Sequence, residues 1–311
     1  MFVKRLSKTI VSTFAVLAAL HAHAQTADLI VQATREAHSK LKSYSAEGVV
    51  TTRIDLTETP TGKAARAKGF KGGDLGTDSA FYKPQTRNSR VSLKLRRDGR
   101  YRINWEQQVS QAFTNKGSAW NSGKGDLIQV PAKGVGRAPD TETCLSAASG
   151  FSSGVSVVAP SLFYGFELDA FTAIEGLTQL PDETLNDAPC HVIGGRMAGQ
   201  NVIFWIRASD YLIVQRKQVL GGDGPPILTD EDAKKLLSKA GTEATAEAIS
   251  KLKDEREHQR KTARATKGDI TMTLSKIVVN NPIPDEALQA AIKAKQSQPS
   301  SDCGYVAGTN L

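Results

Sequence analysis

Histidine and cysteine are scarce in this chain, and their scarcity limits the chemistry that it can support. The 311 residues include five His and three Cys. The sequence also lacks an HExxH zinc motif, a nucleophile elbow and a glycine-rich dinucleotide fingerprint. These absences argue against metal-dependent hydrolysis, serine-based acyl transfer and dinucleotide chemistry. We therefore expect a non-enzymatic protein with no catalytic residues, no metal ion and no other cofactor.

One neighbouring pair, Cys190 and His191, has the residue types of a nucleophile and its base. Both fall at the start of a predicted strand, where successive side chains point to opposite faces. The thiol and the imidazole are therefore held apart, and the pair is a poor candidate for catalysis. Two further histidines, His38 and His258, lie in predicted helices, where we expect both to be exposed.

Long hydrophobic runs are confined to the N-terminus. Lys4, Arg5 and Lys8 precede an apolar run over residues 9–20, and an Ala-His-Ala sequence ends at Ala24. This order is typical of a secretory signal peptide, so we interpret residues 1–24 as a leader that is cleaved after Ala24. No Cys follows the apolar run, which argues against lipid attachment there. The mature chain is expected to be periplasmic or secreted.

The charge balance is modestly basic. A net charge of +8 falls to +5 when Lys4, Arg5 and Lys8 leave with the leader. This excess is small and spread over many segments, so it does not indicate nucleic-acid binding. It is compatible with weak attraction to anionic lipid headgroups, and hence with peripheral contact with a membrane. We expect a monomer.

The three cysteines are Cys144, Cys190 and Cys303. An oxidising compartment permits one disulfide among three pairings, with one thiol left over. Cys303 lies in a polar tail, so the favoured pairing is Cys144 with Cys190. Their spacing is not typical of a metal site or of a redox pair.

Residues 97–121 contain the clearest strand pattern of the chain. Tyr101, Ile103 and Trp105 alternate with polar residues, which places the large apolar groups on one face of an antiparallel sheet. The sequence Asn-Lys-Gly at 115–117 predicts a tight reversal, because Asn and Gly tolerate positive φ. Trp120 then returns to the sheet. Such an apolar face needs a cover, which is supplied by helices, by a ligand or by both.

The same patterns predict the remaining elements of one domain over residues 25–295. Further strands are expected at 46–56, 88–96, 126–130, 174–179, 191–194, 202–207, 212–219 and 269–279. Helices are expected at 27–41, 160–166, 230–264 and 285–292. Insertions are expected at about 57–86, 133–153 and 222–266, because of their Gly, Ser, Pro or charged composition. Residues 296–311 are interpreted as a flexible tail.

Four features occur in the order found in one known family. An amphipathic helix directly follows the leader, and residues 101–105 with 113–120 resemble the family's aromatic strand pair. Residues 204–213 resemble its FWID…YLI hairpin, and 281–285 resemble its closing strand-to-helix motif. Through this order the chain resembles the outer-membrane lipoprotein carrier (LolA-like) superfamily, and its periplasmic members in particular.

The resemblance implies a mainly β (α+β) fold, an unclosed antiparallel half-barrel of about eleven strands covered by helices. The residues that would line its apolar cavity are Tyr101, Ile103, Trp105, Phe113, Trp120, Phe204 and Trp205. In the family, a basic residue just ahead of the aromatic strand helps to control lid closure. Arg97 is the nearest match, although two residues intervene, and Arg100 or Arg102 fits the role equally.

The function implied by the resemblance is to hold a lipid, an acyl chain or a lipidated protein in that cavity, with an inner- or outer-membrane protein as a further partner. Removing acyl chains from water is favourable by about 0.8 kcal/mol per CH₂, so such a carrier needs an apolar cavity. The alternative hypothesis is a protein-interaction or envelope-sensing module on the same fold, with a filled interior.

Overall fold

The computed structural model describes residues 27–67, 83–108, 114–130, 134–239 and 241–289. The predicted signal peptide, Phe113 and the predicted tail lie outside these ranges. In the described part of the chain, no helix is both long enough and apolar enough to cross a membrane.

Eleven strands form one antiparallel sheet. They are β1 Ser43–Asp55, β2 Gln85–Arg96, β3 Tyr101–Gln108, β4 Thr114–Asn121, β5 Asp126–Val130, β6 Gly134–Arg137, β7 Glu175–Leu185, β8 Ala188–Met197, β9 Gln200–Arg207, β10 Ile213–Leu220 and β11 Lys267–Val279. Their order is β6-β5-β4-β3-β2-β1-β11-β10-β9-β8-β7. Within the described residues β6 and β7 each have a partner on one side only, so the sheet is not closed. The predicted unclosed antiparallel sheet of eleven strands is confirmed.

The described helices fall into two groups. They are α1 over residues 27–39, α2 Pro60–Ala67, α3 Thr141–Ser152, α4 Val155–Tyr164, α5 Asp230–Lys239 and α6 Ala246–Ala265, with a short 3₁₀ helix at Asp285–Leu288. Residues of α1, α3 and α4 belong to the main hydrophobic core. Helices α5 and α6 contact each other, and α6 also contacts α2.

The two faces of the sheet have different roles. We call the face that carries Tyr101, Ile103 and Trp105 the inner face, and it packs with α1, α3 and α4 into the main core. The outer face carries a second, smaller cluster formed by Cys190, Val192, Trp205 and Val214. Full burial of one large apolar side chain is favourable by about 1.5–3 kcal/mol, so the inner layer supplies most of the stabilising free energy.

Helix α1 buries polar as well as apolar side chains. Its buried positions are Ala27, Ile30, Val31, Thr34 and His38. Leu29 is 64% exposed. The Thr34 hydroxyl donates to the carbonyl of Ile30 at 2.8 Å, which satisfies it inside the core. The expectation that His38 is exposed is therefore wrong, whereas His258 on α6 is exposed as expected.

The predicted reversal at residues 115–117 is also wrong. These residues lie within β4, and Gly117 pairs directly with Trp105 of β3. A Cβ atom at Gly117 would collide with the Trp105 indole ring. Glycine is thus required for the close approach of an aromatic ring rather than for a turn.

The segment 133–153, predicted as an insertion, contains β6 and the core helix α3. Asp140 caps α3, because its carboxylate accepts a hydrogen bond from the Thr143 amide at 2.7 Å. Cys144, Leu145 and Ala148 on α3 are fully buried. The small residues of this segment allow close packing of a helix on the sheet.

The predicted Cys144–Cys190 disulfide is not formed, and both residues are free, buried thiols. Cys144 belongs to the main core on the inner side of the sheet. Cys190 belongs to the outer-face cluster. The sheet lies between them, so the pairing would require the two clusters to be taken apart.

Candidate functional site

The residues predicted to line a cavity divide between the two faces. Tyr101, Ile103, Trp105 and Phe204 all belong to the main core and are at most 1% exposed. Trp205 lies in the outer-face cluster. Trp120 pairs with Arg102, so it lies on the outer face as well. Adjacent residues in a strand point to opposite faces, so Phe204 and Trp205 cannot line the same cavity.

Aromatic contacts connect the inner face with its cover. The Trp105 ring is stacked on Phe151 of α3, with centroids 6.4 Å apart and planes 14° apart. Phe204 of β9 contacts Phe171, which follows α4, at a centroid distance of 4.9 Å. The inner face is therefore closed in this structure, and helices occupy the position that the family resemblance assigns to a lid.

Arg97, at the β2–β3 hairpin, holds the C-terminal ends of two of these helices. Its Nε donates to the carbonyl of Leu41 at 3.0 Å, and Nη2 donates to those of His38 and Ser39 at 2.9 and 2.8 Å. Nη1 donates to the carbonyl of Phe163 at the end of α4. A cation is favourable at helix C-termini, where carbonyl groups lack helical partners. We call this set of contacts the Arg97 latch.

The contacts of the latch distinguish Arg97 from Arg100 and Arg102, the other two candidates for control of lid closure. Arg100 donates to Asp285 at 2.7 Å. Arg102 donates to the carbonyl of Gln289. These two contacts lie around the 3₁₀ helix, whereas only the Arg97 guanidinium, of the three, donates to the carbonyls at the ends of α1 and α4. Of the three arginines, Arg97 therefore has the contacts that control of a helical lid would require, and we treat that role as a proposal.

A second tie joins α1 to the segment after α4. Arg35 on α1 forms a bidentate pair with Asp169, at 2.6 and 3.1 Å. Asp169 also accepts from the backbone amides of Phe171 and Thr172, at 2.9 and 3.0 Å. The pKa of Asp169 lies below its ordinary value, because the Arg35 guanidinium and these donors outweigh the effect of burial. Helix α1 is thus linked to the segment after α4 as well as to Arg97.

His38 lies beneath the latch, fully buried. Its Nδ1 donates to the carbonyl of Thr34 at 2.8 Å, so the neutral ring carries its proton there. Among the described residues neither its Nε2 nor the nearby Tyr44 hydroxyl has a hydrogen-bond partner. Burial lowers the pKa of His38, and the Thr34 carbonyl and the Asp210 carboxylate oppose this only in part.

We expect His38 to make the folded state less stable in acid. Between its folded-state pKa and its ordinary value of 6.5 the unfolded chain binds a proton that the folded chain does not. Stability is therefore lost as the pH falls through this window, and His38→Asn should reduce that loss. Urea unfolding from about pH 7.5 to about pH 5.5 measures the difference. An unchanged pH dependence in His38→Asn would contradict the assignment.

Cys190 and His191 do not form a catalytic pair. Cys190 lies in the outer-face cluster. His191 bonds through Nδ1 to Asp182 at 3.0 Å and stacks on Tyr211. Burial raises the pKa of the Cys190 thiol, which opposes formation of a nucleophilic thiolate.

A groove of 730 Å³ lies on the outer face across β11, β1, β2, β3 and β4. Its charged lining residues are Glu47, Arg90, Arg102, Glu106, Lys116 and Lys276. Two ion pairs bridge it, Lys116 with Glu106 at 3.1 Å and Lys276 with Glu47 at 2.7 Å. This outer groove is lined by four cationic and two anionic side chains, unlike the covered inner face.

Comparison with known proteins finds neither a matching family model nor a matching curated protein. Solved structures with a similar arrangement include the Mycobacterium tuberculosis lipoprotein LppX, at 9% identity and a TM-score of 0.38, covering 84% of this chain and 98% of LppX. Pseudomonas aeruginosa MucB in complex with MucA is 8% identical, with a TM-score of 0.36, covering 85% of this chain and 61% of that one.

A third similar structure is an outer membrane lipoprotein-sorting protein domain from Vibrio parahaemolyticus. It is 11% identical, with a TM-score of 0.32, and the match covers 83% of this chain and 94% of that domain. At these identities and TM-scores the similarity concerns the arrangement of the chain alone, and no family, ligand or partner is carried over from it.

Proposed function

We propose that this chain is a non-enzymatic periplasmic or secreted binding protein. Its ligand is a lipid, an acyl chain or the acyl part of a lipidated protein, held between the inner face and helices α1 and α4. The observation that carries the proposal is the Arg97 latch, since one side chain ties down the ends of both covering helices. A helix layer that is tied at its edge can lift without breaking any hydrogen bond of the sheet.

Exchange of the cover for a ligand would be driven by burial of the ligand's own apolar surface. Lifting α1 and α4 exposes apolar surface of the inner face, including Ile103, Trp105 and Phe204, and this is costly in water. An acyl chain that enters the gap is removed from water at the same time, and contributes about 0.8 kcal/mol per CH₂. The latch must therefore be weak enough for a chain of ordinary lipid length to replace the helix contacts.

The proposal includes secretion and delivery. The predicted leader would export the chain, and a ligand taken from one membrane would be passed to another through a protein partner. The modest positive charge favours brief contact with anionic lipid surfaces during that exchange.

Native mass spectrometry of the delipidated mature chain tests this function. Mixed with laurate or with a synthetic lipopeptide, the protein is expected to form a one-to-one complex, whereas acetate, which has no acyl tail to bury, should not bind. Trp105 should report the same event through a change in its fluorescence, because its ring lies on the inner face. Failure of every acyl compound to bind would contradict the proposal.

A protein-interaction module is the second candidate function, and one observation favours it. Tyr101, Ile103 and Phe204 are 0% exposed, while the groove of 730 Å³ is open on the outer face. A partner that uses this groove would leave the helix cover in place. Cross-linking from a photoreactive residue at Arg90, combined with absence of acyl binding, would favour this second function.

A further inference from the structure

A buried arginine lies on the inner face among apolar side chains. Arg216 of β10 is 8% exposed and pairs in register with Phe204 of β9 and Met272 of β11. Both of these partners belong to the main core. The guanidinium carbon lies 5.9 Å from the centre of the Phe204 ring. Arginine is rarely buried unless a carboxylate or phosphate compensates its charge.

The protein supplies no such compensation in the described ranges. Arg216 Nη2 donates to the Gln218 side-chain oxygen at 2.9 Å and lies 4.0 Å from the Met197 sulfur. No carboxylate of the described residues forms an ion pair with it. Burial lowers the pKa of the guanidinium to about 10, so the side chain still carries its charge near neutral pH. An amide and a thioether satisfy hydrogen bonds without neutralising that charge.

The N-terminus of α4 adds further positive potential at the same place. A Cβ atom placed on Gly154, the N-cap residue of α4, would lie 3.8 Å from Arg216 Nη1. This N-cap offers no side chain, and the aligned peptide dipoles give a helix N-terminus a partial positive charge. The amides of Ser156 and Val157 already bond to Ser152 Oγ and the Gly154 carbonyl, each at 3.2 Å. These two helix amides therefore already have hydrogen-bond partners. What the site lacks, among the described residues, is a negative charge.

We propose that Arg216 binds the anionic headgroup of an acyl ligand, either a carboxylate or a phosphate, while the acyl chain lies along the inner face. This inference rests on the proposed function and further specifies that the ligand is negatively charged. The guanidinium forms paired hydrogen bonds with either group, and burial of the side chain strengthens that interaction. Because no carboxylate of the described residues pairs with Arg216, binding of an anion stabilises the loaded state selectively.

The test compares ligands that share a linear hydrocarbon chain of the same carbon number and differ in charge. Laurate, dodecyl phosphate and dodecanol are titrated into the delipidated mature protein, and binding is followed by native mass spectrometry and Trp fluorescence. The two anions are expected to bind about tenfold more tightly than the alcohol. In Arg216→Gln this preference should vanish while dodecanol binding is retained. Arg53→Gln, which changes an arginine side chain that is 63% exposed, should keep the full preference.

Two further measurements test whether the variants fold and whether the site binds a free anion. Arg216→Gln removes a buried charge, so its empty form should melt at a temperature no lower than that of the wild type. If that variant fails to fold, Arg216→Lys keeps the charge without the paired donors and should retain a reduced preference. Inorganic phosphate alone should not displace laurate. Displacement by inorganic phosphate would show a site for free anions and overturn the lipid assignment.

The outcomes separate this inference from the function on which it rests. Equal binding of all three compounds by the wild type would overturn the role of Arg216 and leave acyl binding intact. Persistence of the anion preference in Arg216→Gln, or its full retention in Arg216→Lys where only the lysine variant folds, would also overturn it. Absence of binding by every compound would instead contradict the proposed function itself.

Discussion

Arg97→Gln is expected to loosen α1 and α4 together while the sheet stays paired. The variant loses the donors to Leu41, Ser39 and Phe163, and the C-terminal carbonyls of both helices lose a compensating cation. Charge-assisted hydrogen bonds at a partly exposed site predict a loss of about 1–3 kcal/mol in the free energy of unfolding. Hydrogen exchange should accelerate in residues 27–41 and 155–164, and little in β8 to β10.

The same variant should bind acyl compounds more readily. If the open cover is the binding-competent state, raising its population lowers the apparent Kd in proportion, by about tenfold for a change of 1.4 kcal/mol. Arg96→Gln is the matched control on the same hairpin, because Arg96 bonds to Asp98 and Asp285 and not to α1 or α4. Unchanged exchange in both helices of the Arg97 variant would show that Arg97 does not hold the cover.

Gly117→Ala is expected to cause the largest loss of stability, by about 3 kcal/mol, because the new methyl group would enter the space of the Trp105 indole. The ring is held from the other side by Phe151, so it cannot move away without disturbing α3. Denaturant unfolding measures the effect, and displacement of the ring should also appear in the fluorescence spectrum.

Gly136→Ala serves as the control for Gly117→Ala, since it changes another strand glycine at which the nearest atom to a new Cβ is a methyl carbon of Ile128 at 3.9 Å. Its effect should be small. The cost of Gly117→Ala should shrink in a Trp105→Leu background, where the smaller side chain leaves room for the methyl group. Equal costs in both backgrounds would place the strain elsewhere.

The sequence predicted the sheet well because its strands have a regular period of two. Tyr101, Ile103 and Trp105 lie on one face as the alternation indicates, and so do Val91 and Leu93 on the neighbouring strand. Antiparallel strands joined by short turns follow from local patterns of this kind. The ends of elements and the composition of the connecting segments were less informative, as α3 within residues 133–153 demonstrates.

The placement of Arg216 could not be predicted from alternation. Ile213 pairs with Ile206, and Gln215 pairs with Trp205, so the register of β10 shifts by one residue between them. This bulge places Arg216 on the inner face, whereas uninterrupted alternation from Ile213 would place it outside. A bulge depends on both strands, so the sequence of β10 alone does not reveal it.

The alternation of residues along a strand also explains why the candidate site was predicted only in part. A list of large aromatic residues selected both Phe204 and Trp205, and the period of two allows only one of them on the inner face. Arg97 was identified through the resemblance alone. Its contacts to the ends of α1 and α4 depend on tertiary packing, and residue spacing does not encode them. His38 was misjudged because a polar residue was assumed to lie on the exposed side of its helix.

The central claim is that an acyl chain lies on the inner face beneath α1 and α4. Photo-cross-linking with a diazirine analogue of laurate, followed by peptide mapping of the adducts, tests it most directly. We predict adducts in β3 and β9, around Ile103, Trp105 and Phe204, and in α4. Adducts confined to the outer groove, or none above the level obtained with excess unlabelled laurate, would contradict it.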